Sequence, residues 1–213
     1  MQVRHLAREL ALLAAGQLPG QPQNLDKKTA EDMVLAAVRS LTEEGKELLA
    51  TAGGELKRAG NTLLDGETKR DDPRMALAEV QALTREAIAL AKKAVERVGL
   101  AVELPELLQA ANHIPTLKFA AGLLQTVAEY RAEIDEALSK ALIDWQLTRI
   151  AEVDRRILRL AVAEMFFLKP VTPVQVVIDE AVELAKRYSS ADGYRFIHGV
   201  LGKVVQIRQG KRP

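Results

Sequence analysis
The chain contains no cysteine, which excludes disulfides, thiolate metal sites and a cysteine nucleophile, and fits a reducing compartment. Aromatic residues make up only 4% of it, with a single tryptophan, so the β-branched and aromatic runs typical of sheets are scarce. Ala, Leu, Glu, Lys and Arg, the strong helix formers, dominate instead. The expected fold class is all-α. No apolar run approaches the roughly 20 residues that a membrane helix needs. The opening "MQVRHLARELALLAAGQLPG" has the outline of a weak signal peptide, but Glu9 interrupts its apolar stretch and we read it as a helix. Cytoplasm is the expected compartment, without membrane association.

Chemistry-bearing patterns are equally sparse. The three histidines, His5, His113 and His198, stand far apart in the chain, and a lone histidine is a poor basis for catalysis or metal binding. "AGGELKRAGN" has glycines but neither the GKS/GKT ending nor the preceding strand of a phosphate-cradling loop. Acidic pairs such as Asp179 and Glu180 read as solvent-facing helix residues. We expect no enzyme, no cofactor and no metal.

What is present is ample apolar content: 48% of 213 residues, enough to bury a core. The net charge of +1 conceals an asymmetry, because from Trp145 onward twelve Lys/Arg stand against seven Asp/Glu. A locally basic carboxyl half suits a polyanion partner, although ordinary solvated charge gives the same pattern. "RHLARELALLAAG" predicts a short helix with a basic beginning at Arg4, His5 and Arg8. Residues 26–112 have a different texture, Ala-rich and charge-dense, without Trp, Tyr or Phe. There Leu77, Val80, Thr84, Ala87, Ile88, Ala91, Val95 and Val98 form a narrow stripe predicting an amphipathic helix against another helix. "DGETKRDD" leaves order and partial disorder both open. Pro105 and Pro115 bracket a short helix. Thr116 to about Ile143 reads as one long helix or two meeting near Arg131, and "EVDRRILRLAVAEMFFLKP" as a central bundle helix ended by Pro170. Thr172 is placed as an N-cap with Pro173 at the first helical position.

The densest stretch is "AKRYSSADGYRFIHGVL", in which the last helix starts near Gly193 and runs to Arg208. On a wheel of about 100° per residue, Phe196, Ile197, Val200, Leu201, Val204 and Ile207 gather on one face. Arg195, Gly199, Gly202 and Gln206 fall opposite, flanked by Lys203 and His198. Two glycines inside a helix each cost about 0.5–1 kcal/mol relative to alanine, so something should approach that bare backbone. A single-stranded nucleic acid fits, with phosphates held by cations and a base stacked on a ring; a neighbouring helix of the same chain fits too.

Residues 144–204, "DWQLTRIAEVDRRILRLAVAEMFFLKPVTPVQVVIDEAVELAKRYSSADGYRFIHGVLGKV", closely resemble the carboxyl-terminal part of the NusB family of transcription antitermination factors. The matching features are Trp145 with Arg149 four residues on, "VDRRILRLAVAE", the "EAVELAK" helix and the closing "F..GVL.K" pattern. "RHLARELAL" is similar to the family's opening helix, and "FAAGLL" to another. The resemblance implies an all-α fold of two small helical bundles with a long helical insertion. Residues 1–20 would form the basic helix, 21–112 the insertion, and 113–213 the remaining helical core.

It also implies a function: binding single-stranded boxA-type RNA of ribosomal RNA leader transcripts together with a small-subunit ribosomal protein acting as NusE, the pair then loading onto the RNA polymerase elongation complex. By position, Arg4, His5, Arg8, Arg195, Phe196, His198 and Lys203 are the implied RNA-binding residues. Arg4 and Arg8 would hold phosphates, Phe196 would stack on a base or fix the helix, and His198 would donate a hydrogen bond. Asp154 and Asp192 match acidic positions of the partner surfaces. The chain departs from the family in having only two arginines in its opening helix, Gly16 in place of a tyrosine, and His198 in place of a common asparagine. Monomer and homodimer both stay open; a dimer covering the basic helix would regulate RNA access. The competing function is a helical protein-interaction adaptor that uses the insertion as its docking surface.

Overall fold
The computed structural model describes residues 2–18, 25–70, 77–102, 104–142 and 146–210. Among these there are helices and no strands, in keeping with the expected all-α class, and no helix is long and apolar enough to cross a membrane. The chain divides into two compact units, residues 1–38 with 109–213, and residues 39–108.

The first unit is a bundle whose elements follow the sequence periodicity closely. It comprises α1 (Gln2–Ala14), the start of α2 (Lys27–Arg70), α5 (Ile114–Glu129), α6 (Arg131–Ala141), α7 (Glu152–Phe166), α8 (Val174–Tyr188) and α9 (Gly193–Arg208). α1 packs on α5 and α7, α8 packs on α7 and α9, and α6 closes the bundle against α7 and α9. The core side chains Leu10, Leu123, Leu124, Ile134, Leu138, Ile157, Leu158, Ile197 and Leu201 are fully buried. On α9 the buried set Ile197, Val200, Leu201 and Val204 has the i, i+3, i+4, i+7 spacing of one helical face, as the wheel predicts. α5 and α6 are two helices, meeting at Tyr130, whose ψ of 27° departs from the helical value.

Two boundaries differ from the sequence reading. α7 stops at Phe166, and residues 167–169 lie in a turn before Pro170 is reached. α8 starts one residue later than expected: Pro173, at φ −54° and ψ 133°, is the N-cap, and its carbonyl accepts the first helical bond from Val177 at 3.2 Å. Thr172 makes no capping bond; its hydroxyl is buried without a partner. Ile143, Asp144 and Trp145 lie outside the described residues.

In the second unit, α2 runs through Gly53, Gly54 and Gly60 without a break, and α3 (Leu77–Val102) returns antiparallel to it, with Arg97 bonded to Glu55 at 3.1 Å and Leu83 against Gly66. α4 (Leu104–Asn112) is the short helix expected between the prolines. "DGETKR" is helical, and Asp71 and Asp72 lie outside the described residues. The stripe predicted on α3 is only partly right. Ala87 is buried as expected, but Leu77, Ile88, Val95 and Val98 are exposed, and the deepest positions are Ala87, Ala94 and Ala101, seven residues apart. On α2 the buried alanines Ala52 and Ala59 share that spacing, so small side chains sit inward and the larger ones are left outside.

Candidate nucleic-acid interface
α1 opens with cations where a helix ordinarily carries acids. Its first turn contains no acidic residue, so the positive end of the helix dipole and the side chains of Arg4 and His5 add rather than cancel. Arg4 is exposed, with its guanidinium 5.4 Å from the centre of the Phe119 ring. His5 is half-buried, and its Nδ1 lies 2.7 Å from Glu180 Oε2. Glu180, read from the sequence as solvent-facing, thus points at α1. Arg8 is only 4% exposed. It donates to Glu164 through Nε and Nη2 at 2.8 and 2.6 Å, and its Nη1 lies 3.5 Å from Glu180. One residue on, Glu9 is fully buried, 3.0 Å from Arg187 Nη1 and accepting a bond from the Tyr188 hydroxyl. Arg8 therefore ties α1 to α7 and α8, and as it stands its charge is directed into the bundle.

These contacts set the spacing between the two basic regions. His5 meets Glu180 and Glu9 meets Arg187, so α1 runs parallel to α8, and the residues from Glu180 to Arg187 span about 10 Å of helix. The basic opening of α1 lies beside the middle of α8, whereas α9 begins beyond the end of α8. The two are joined by the basic last turn of α8, where Lys186 lies 5.9 Å from the Tyr194 ring. The Lys186 ammonium is held above its ordinary pKa, first by its hydrogen bond to Glu183 and then by that carboxylate's charge, so it stays cationic.

At the start of α9 the side chain of Arg195 is 72% exposed, bonded to the Tyr194 hydroxyl at 3.0 Å and to Asp192 at 3.3 Å. Asp192 occupies the N-cap position without a side-chain cap bond. Gly193 follows because no other residue fits: a Cβ there would lie 2.0 Å from Ser189 Oγ and 2.7 Å from Ser189 Cβ. This close approach folds the "SSAD" turn tightly against α9. Phe196 is half-buried, lining a recess of about 290 Å³ with Arg149, Ile150, Asp154 and Asp192. The structure thereby brings together Asp154, Asp192 and Phe196, which are 42 residues apart at their extremes in the chain. Asp154 is buried, and its Oδ1 has no hydrogen-bond partner.

Further along α9, His198 and Gly199 are exposed and Gly202 and Lys203 half-exposed. A Cβ built on Gly199 or Gly202 meets nothing within 4 Å. Among the described residues no helix of the chain packs against either glycine, so the intramolecular explanation for them fails. The outward surface of α9 is a strip of bare backbone between Arg195, His198 and Lys203. Sequence reasoning did not assign Lys186, Tyr194 or Arg149 to this region; the basic pair in "AKRY" was the available signal for the first. Among the described residues no group of three or more His, Asp or Glu side chains is placed to hold a metal ion.

The NusB family model matches residues 75–206. Proteins named "Transcription antitermination protein NusB" align along almost the entire chain. That of Microcystis aeruginosa is 45% identical over 203 residues, covering 95% of this chain and 91% of its own. That of Nostoc punctiforme is 47% identical over 211 residues, with coverage of 97% and 96%, and that of Synechocystis sp. is 44% identical over 215 residues, with coverage of 100% and 95%. The central segment is therefore included in these alignments. A solved structure of T. maritima NusB matches with 25% identity and a TM-score of 0.43, over 73% of this chain and 90% of that one.

Proposed function
The chain belongs to the NusB family, and from that premise we propose that it is a transcription antitermination factor that binds single-stranded boxA-type RNA of ribosomal RNA leader transcripts, together with a small-subunit ribosomal protein acting as NusE. The pair loads onto the elongating polymerase. The protein performs no chemistry on the RNA; it holds it.

The observation that carries this reading is the outward face of α9. Gly199 and Gly202 are bare backbone with no neighbour within 4 Å of a built Cβ, beside Arg195, His198 and Lys203. Glycine in a helix interior is unfavourable by about 0.5–1 kcal/mol per residue, and an external ligand lying close to the backbone accounts for that cost. Arg195 and Lys203 hold phosphates, His198 donates a hydrogen bond to a base or ribose, and Phe196, half-buried in the lining of its recess, stacks on a base or fixes the helix beneath it. Arg4 extends the phosphate path at α1, Arg8 and His5 hold that helix in place, and Asp154 and Asp192 face the protein partner. Fluorescence anisotropy with labelled boxA and scrambled RNA, with and without the ribosomal protein, tests it. Tighter binding to boxA, weakened at least tenfold by Arg195→Glu, is expected; equal affinity for the two RNAs refutes specific readout.

A second reading, the protein-interaction adaptor, draws on one observation: on α2, Leu49, Leu56 and Leu63 are 51%, 49% and 45% exposed and seven residues apart, the spacing of a seam for another helix. Replacing all three by serine leaves every partner bound if the adaptor idea fails.

A further inference from the structure
A second concentration of charge lies on the other side of the first turns of α7. Arg131, Arg155, Arg156 and Arg159 line a recess of about 140 Å³ whose rim includes Gly16 and Leu18. None of its lining residues is on α9, so it is distinct from the RNA face and does not rest on the function proposed above.

The charge in this recess is not balanced. Asp135 serves two arginines, accepting from Arg159 Nε and Nη2 at 2.7 and 2.8 Å and from Arg131 Nε at 3.2 Å. Glu152 pairs with Arg156. Arg155 has no carboxylate partner among the described residues. Four guanidinium groups thus face two carboxylates, a surplus of two positive charges. The Arg131 and Arg159 side chains are only 14% and 13% exposed, so water screens them weakly. Burial, followed by the repulsion of Arg159, holds the Arg131 guanidinium below its ordinary pKa, although a guanidinium so placed keeps its charge at neutral pH.

Free donors remain as well. Arg131 uses only its Nε on Asp135, and Arg155 has all five of its N–H groups uncommitted. Gly16 keeps the rim open, since a Cβ there would lie 3.0–3.2 Å from the Arg156 guanidinium. The whole arrangement is sheltered like charge with unused donors, which an entering anion relieves.

We propose that this recess is a binding site for a phosphate-type oxyanion, held chiefly by Arg155 and Arg131 with Arg156 at the rim. A tetrahedral phosphate group presents several oxygens to the uncommitted N–H groups of two arginines at once, which a planar carboxylate does less well. A free phosphate ion, with up to two charges, matches the surplus in full; the backbone diester of a bound nucleic acid brings one charge but the same phosphoryl oxygens.

Thermal unfolding of the full chain at constant ionic strength separates them, using sodium phosphate, a trinucleotide with 5′-hydroxyl ends, and sodium chloride and sodium acetate as references. Protection by inorganic phosphate identifies the free ion, and protection by the trinucleotide alone identifies the diester. In either case Arg155→Gln, which removes an unpaired charge, weakens the effect at least tenfold, while Lys46→Gln, at an exposed cation of α2 outside both basic regions, leaves it unchanged. Should the variant fail to fold, the Arg155 Nε–H resonance of the native protein shifts on titration with the protective anion. The proposal is overturned if neither phosphate species protects beyond chloride and acetate, if Arg155→Gln binds as the native chain does, or if the resonance does not move.

Discussion
Arg8 and Gly193 are the two residues whose roles are set most tightly by their neighbours. Arg8 forms a fork-to-fork pair with Glu164, both almost fully buried. Removing one member of such a pair strands the other charge, so Arg8→Ala should cost about 3–5 kcal/mol in chemical denaturation. Arg8→Met combined with Glu164→Leu should recover most of that, because an apolar pair of similar volume needs no counter-charge. The sequence shows a basic helix opening but cannot show this pairing, since Glu164 lies 156 residues away and the same pattern fits a solvent-facing arginine. Gly193→Ala should destabilise by about 1–3 kcal/mol, as its Cβ would overlap Ser189 at both Oγ and Cβ and the tight turn has no room to yield. Equal stability of this variant and the native chain would mean that the turn relaxes.

At the level of single elements, α9 was legible and α3 was not, for one physical reason. The apolar residues of α9 are large and repeat at helical spacing, so the buried face and the polar face separate on a wheel. On α3 the inward positions are Ala87, Ala94 and Ala101, and a stripe weighted by bulk picks Leu77, Ile88 and Val95 instead. When two helices approach through alanine, side-chain size no longer marks the interior. α2 illustrates the same limit: glycines that punctuate the sequence do not break the helix. Its start is fixed locally. Asp26 accepts the Thr29 N–H at 2.9 Å and the Thr29 hydroxyl at 2.6 Å, and these bonds, the hydroxyl's first, hold its carboxyl below the ordinary value of 3.8. Because the folded pKa is depressed, the cap's contribution is fully present above 3.8 and fades as pH falls through the lower folded value. Asp26→Ala should therefore unfold at a lower temperature than the native chain at pH 7, and the gap should close in strong acid; a gap independent of pH would show that the carboxylate is not the capping group.

For the molecule as a whole, the question is how little charge suffices to hold RNA. The net charge is +1, Arg8 is committed to the bundle, and the cations left at the surface of the proposed path are few: Arg4, Lys186, Arg195 and Lys203. With roughly two to four phosphates contacted, the slope of log affinity against log salt should be about −1.5 to −3, shallow for a nucleic-acid-binding protein. A slope several times steeper would require a basic surface other than this one. The membership of the family and the all-α bundle were readable from "VDRRILRLAVAE" and the closing "F..GVL.K" pattern, because they include Ile157, Leu158, Ala161, Val162, Val200 and Leu201, which are buried in the core. The arrangement of the two basic regions on either side of the last turns of α8 was not, because it depends on α1 lying parallel to α8 through His5 and Glu9, contacts that no local pattern announces.

The glycines of α9 give the central claim its sharpest test, because stability and binding should move in opposite directions. Gly199→Ala with Gly202→Ala adds two methyl groups that meet nothing in the protein, so the doubly substituted chain should be more stable by about 1–2 kcal/mol. Measured side by side with its thermal unfolding, its affinity for boxA-type RNA in the presence of the ribosomal protein should fall at least tenfold. A more stable chain that binds the RNA as tightly as before would show that nothing approaches that backbone, and would contradict the account.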